Sequence, residues 1–110
     1  MMTESAGTIR IAPEVLATIV QLTARSVHGI RAMAETPRGR LLHRPTPEST
    51  RGVQVRVRDN AVQASLYVVV AHGANMVAVG NEVQRAVVQA VHEMLGMTVR
   101  AINVYIQGVE

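Results

Sequence analysis

At 110 residues and a formal charge of +3, the chain is long enough for one small domain and too short for two. The absence of cysteine excludes disulfides, thiolate nucleophiles and cysteine-held zinc, and the absence of Phe and Trp leaves the core to aliphatic residues beside Tyr67 and Tyr105. Every basic residue other than histidine is arginine, which reflects either codon usage or a planar fork suited to an anionic partner.

Residues 1–7 read as a disordered leader without the basic and apolar regions of a secretory signal. Thr8–Ala12 alternates Ile9 and Ile11 with Arg10, the pattern of a short strand. Pro13 suits a first helical turn, and Glu14 suits the positive helix end, so a helix is expected to about Val27. Its predicted inner stripe is Val15, Leu16, Ile19, Leu22 and Thr23, and Gly29 is its stop. Residues 30–34 are either a weak edge strand or extended coil. Residues 35–50, with three Pro and three Arg, read as a long loop.

The clearest local signal follows. Val53, Val55 and Val57 alternate with polar residues, as do Val62, Ala64, Leu66, Val68 and Val70 with their neighbours, and Asp59-Asn60 can turn with positive φ. Setting Arg58 opposite Ala61 puts Val57 against Val62, Val55 against Ala64 and Val53 against Leu66, so that the apolar residues share one face. Asn75 is then positioned to cap a helix over Met76–Leu95, stopped by Gly96. Its predicted inner stripe is Val79, Val83, Val87, Ala90 and Met94, with a second stripe of Val88, Val91 and Leu95. A closing strand alternates Ile102, Val104 and Ile106 with Ala101, Asn103 and Tyr105.

The order β-α-β-β-α-β predicts an α+β two-layer sandwich, residues 8–110 forming a single domain with two helices on one face of a small mixed or antiparallel sheet. A ferredoxin-like strand arrangement is the default for that order. If residues 30–34 pair and 8–12 do not, the order becomes α-β-β-β-α-β.

Chemistry is harder to find. Asp59 is the only aspartate and belongs to a turn, Glu14, Glu82 and Glu93 fall on wet helix faces, and His28, His43, His72 and His92 follow no ligand spacing. Neither a GxGxxG nor a GK[ST] phosphate loop occurs. The expectation is a non-enzymatic protein without a catalytic, metal or cofactor site and without a small-molecule substrate. Binding is the more open class. The second helix stripe exceeds what one sheet face needs, so Val88, Val91, Leu95, Asn103 and Tyr105 are candidates for self-association. Arg38, Arg40, Arg44 and Arg51, in or beside the loop, and Arg56 and Arg58, on the outer sheet face near Tyr67, are candidates for gripping nucleic-acid or other anionic phosphates.

Several segments, taken in order, resemble one family. They are G-T-I-R-I-A-P-E-V (7–15), V-H-G-I (27–30), R-G-V-Q-V-R-V (51–57), Y-V-V-V-A-H-G (67–73), N-E-V-Q-R-A-V (81–87) and V-R-A-I-N-V-Y-I-Q-G-V (99–109). The set looks like the alkaline shock protein family of bacterial envelope stress response proteins. That resemblance implies a non-enzymatic homo-oligomer, cytoplasmic and peripheral to the membrane through a membrane-anchored protein partner. The chain differs from many members in its Pro/Arg-rich 35–50 segment and its basic, lysine-free surface.

Overall fold

The computed structural model describes residues 7–35 and 49–110. In chain order the elements are α1 (Pro13–Arg25), β1 (Ile30–Met33), β2 (Ser49–Thr50), β3 (Val53–Arg58), β4 (Ala61–Val70), α2 (Met76–Leu95) and β5 (Thr98–Val109). The described residues form an α+β fold with two helices and one open sheet. β1 to β4 pair antiparallel, and β5 lies parallel to β4, so the sheet is mixed.

The hairpin register is the predicted one: Arg58 opposes Ala61, Val55 opposes Ala64 and Val53 opposes Leu66, with Asp59 and Asn60 both at positive φ in the turn. A one-residue slip would turn five buried residues of β4 to the other face, and that fixes the pairing.

The predicted strand at 8–12 does not form, and the β-α-β-β-α-β order is corrected accordingly. Residues 30–33 join the sheet instead, along the same edge of β4 as β3. Tyr67 marks where those two strands meet end to end: its N–H donates to the Gly52 carbonyl at 2.8 Å, and its carbonyl accepts from the Ala34 N–H at 2.8 Å. The ferredoxin-like arrangement is therefore not adopted. Ser49 and Thr50, expected in the loop, pair with Gln54 and Val53. The rest of the leader and the loop, residues 1–6 and 36–48, lies outside the described residues.

Both helices bury a stripe in one shared core with β4. On α1 that stripe is Leu16, Ala17, Val20 and Ala24, while Val15 and Leu22, expected inside, are exposed. The small side chains of Ala17 and Ala24 let α1 approach its neighbours closely, while Leu16 and Val20 fill the core beside them. On α2 the buried residues are Val79, Val83, Val87 and Val91, each one turn and a little more beyond the last; Met94, expected inside, is 65% exposed. Gly29, just past α1, lies against the Val79 side chain in the first turn of α2, so the helices run antiparallel. α1 packs over β1, β2 and β3, whereas α2 packs over β5.

Candidate interaction surfaces

Among the described residues, β5 forms a free edge of the sheet. β5 is twelve residues long and, among the described residues, pairs only with β4. Its register is irregular between Val99 and Ala101 and again between Ile106 and Gly108, leaving an uninterrupted stretch from Ala101 to Ile106. On its helix side this stretch carries Ile102, which is buried, and Val104 and Ile106, which are half-buried and packed on the core.

α2 borders that edge. The β4–α2–β5 crossover joins parallel strands, so α2 runs opposite to β5. Gln84 Nε2 donates to the Ile102 carbonyl at 3.0 Å, which identifies the side of α2 that faces the closing strand. Val77 and Val88 share that side, two turns before and one turn after Gln84 respectively. They are 73% and 42% exposed. Leu95 continues the stripe and is half-buried against the core.

Of the residues expected to serve self-association, Val88 and Leu95 thus line this groove. Val91 does not: it is 0% exposed within one chain and belongs to the core, because the buried stripe drifts around α2 toward its C-terminus. Asn103 and Tyr105 face the opposite, uncovered side of the sheet. There Tyr105 stacks on Tyr67, its neighbour across the parallel pair, with ring centroids 5.0 Å apart and planes 16° from parallel.

Among the arginines, Arg56 and Arg58 are exposed on β3, and Arg51 is exposed in the β2–β3 turn. Arg38, Arg40 and Arg44 lie outside the described residues. Sequence reasoning missed a second apolar surface, the exposed Val15 and Leu22 of α1 with Ile11 before it. The seven-residue spacing of Val15 and Leu22 is legible in the sequence, but it reads as part of the inner stripe, and Ile11 reads as part of a strand.

One hollow of about 700 Å³ opens where the Ala71–Asn75 turn meets α1's end, lined in part by His28, Arg31, His72 and Glu82. Asn75 Oδ1 accepts the Ala78 N–H there at 2.9 Å, closing the first turn of α2. Glu82 is engaged by Arg85 on the same exposed helix face, with Nε to Oε1 at 3.1 Å. Donation from that guanidinium holds the carboxyl below its ordinary range. No group of three or more His, Cys, Asp or Glu among the described residues could hold a metal ion. No described helix is long and apolar enough to cross a membrane.

Comparisons with known proteins agree with this architecture. The chain is 31% identical over 106 residues to the Bacillus subtilis protein YloU, covering 94% of this chain and 88% of that one. It is 26% identical over 110 residues to Spy1535 of Streptococcus pyogenes, covering 99% and 84% respectively. Solved structures of the MamM CTD share the fold, one variant with a TM-score of 0.55 at 15% identity over 88% of this chain and 95% of that one. Residues 1–110 match the alkaline shock protein 23 family, described by a cell envelope-related function, and the chain belongs to that family.

Proposed function

We propose that the domain is a non-enzymatic, self-associating scaffold that serves the cell envelope in the stress response, working on the cytoplasmic side of the membrane through a membrane-anchored protein partner. The observation that carries this reading is the alignment of exposed apolar side chains. Val77 and Val88 lie in one line beside the open edge of β5, and Val15 and Leu22 lie in another along α1. Exposed apolar residues scattered singly need no explanation, but aligned ones beside an unpaired edge are characteristic of contact surfaces. The family's cell envelope-related function supports the setting.

The test is sedimentation velocity on the full chain from about 1 to about 300 µM, where a concentration-dependent oligomer is expected. A monomer throughout that range removes the self-association reading. Crosslinked capture from the native cell identifies the partner, and recovery of the chain with a membrane-anchored protein is the expected outcome.

A further inference from the structure

We infer that Thr8–Ala12 is an exchanged arm: it adds as a strand to the open edge of β5 in a second copy of the chain. The inference deepens the self-association reading and rests on it. Thr8–Ala12 has a strand's sequence but no sheet partner. Ile9 and Ile11 flank Arg10, the segment precedes α1 without helical structure, and Ile9 is 94% exposed. Among the described residues no backbone hydrogen bond reaches Ile9, Arg10 or Ile11.

The receiving edge matches the arm in length and chemistry. The regular stretch Ala101–Ile106 is one residue longer than the arm. A strand laid along it in either direction puts Ile9 and Ile11 on the same face of the sheet. One face offers the half-buried Val104 and Ile106, on the side bordered by α2, and the other offers Asn103 and Tyr105. The helix-side face takes the isoleucines, because each loses exposed surface there beside Val104 and Ile106, which a single copy leaves only half-buried. Arg10 then falls on the outer face, beside the Tyr105 ring, which is a favourable place for a guanidinium.

The arm's own edge is the wrong occupant. α1 packs over β1, β2 and β3, and α2 stands between it and β5. Five extended residues span roughly 17 Å. Crossing over a helix about 10 Å across would use most of that length and leave little to pair. Two copies related by a twofold axis can exchange arms reciprocally, which closes the assembly as a dimer.

The lack of cysteine allows a background-free test in the full chain. A chain carrying Arg10→Cys is mixed with a differently tagged chain carrying Asn103→Cys or Tyr105→Cys, and a disulfide between the two tags is expected. In parallel, Ile9→Asp/Ile11→Asp is expected to weaken dimerisation at least about tenfold in sedimentation. Its thermal unfolding, followed at low concentration, should be unchanged, since neither substitution touches the core. If wild type associates while the double variant associates as tightly and no mixed disulfide forms, the arm is not the contact and the scaffold reading survives. If wild type is monomeric throughout, both fall. An Arg10→Cys/Tyr105→Cys chain that closes an internal disulfide at low micromolar concentration would overturn exchange in favour of the arm's own edge.

Discussion

At the residue scale, two glycines with similar backbones carry different burdens. Gly52 has φ +76, and a Cβ there would sit 2.8 Å from the Ala34 carbonyl oxygen, 2.8 Å from Met33 Cβ and 2.9 Å from the Tyr67 carbonyl oxygen. Those atoms are backbone or near-backbone at the joint of β1, β3 and β4, and none can rotate away. Gly96 has φ +66 as the stop of α2, yet nothing lies within 4 Å of its missing Cβ. Gly96→Ala is therefore expected to cost only the left-handed penalty, about 1 kcal/mol. Gly52→Ala should cost roughly 3 kcal/mol or more, because overpacking adds to the same penalty. Urea unfolding of both variants measures the difference, and equal losses would mean the joint yields. Asp59-Asn60, Asn75 and Gly96 were legible from sequence because local backbone chemistry dictates them. Gly52 was not, because its constraint comes from a strand end-to-end contact with residues far away in the chain.

At the scale of elements, the two helices show where periodicity stops being informative. Both carry more than one apolar stripe, so the pattern fixes that they are amphipathic helices but not which stripe faces inward. On α1 the stripe of Leu16, Ala17, Val20 and Ala24 wins over the one containing Val15 and Leu22: it pairs two filling side chains with two small ones that allow close approach where the helix contacts both sheet and helix. On α2 the same ambiguity placed Val91 outside and Met94 inside, the reverse of what forms. The hairpin escaped this problem because a strand has only two faces and its turn sets the register. Thr8–Ala12 failed for the complementary reason: an alternating pattern states that a segment can pair, not that its own chain supplies the mate. The assignment of α2's faces is testable with neighbouring valines. Val87, fully buried, should lose roughly 2 to 3 kcal/mol on replacement by Ala. Val88→Ala should cost under about 0.5 kcal/mol in a dilute monomer, as expected of a surface position. A large loss at Val88 under those conditions would mean the groove is already closed within one copy.

For the whole molecule, two kinds of surface compete to define what it meets: apolar lines beside the β5 edge and along α1, and exposed arginines on a chain of formal charge +3. Salt separates them because the two interactions respond in opposite directions. Contacts made by guanidinium and phosphate release counterions, so a complex with several such contacts loses roughly a thousandfold in affinity or more between about 50 and about 200 mM salt. Contacts made by isoleucine and valine hide surface from water, and excluded salts such as sulfate strengthen them. Arg10 is the one arginine that the exchanged arm carries with it, and its place beside Tyr105 makes only a single, partly solvated cationic contact. Self-association is accordingly expected to hold or tighten as sodium sulfate is raised to about 0.5 M, followed by light scattering at fixed protein concentration. Dissociation over the same range would transfer the assembly from the apolar groove to the arginines, and the phosphate-binding alternative would then become the better account of the surface.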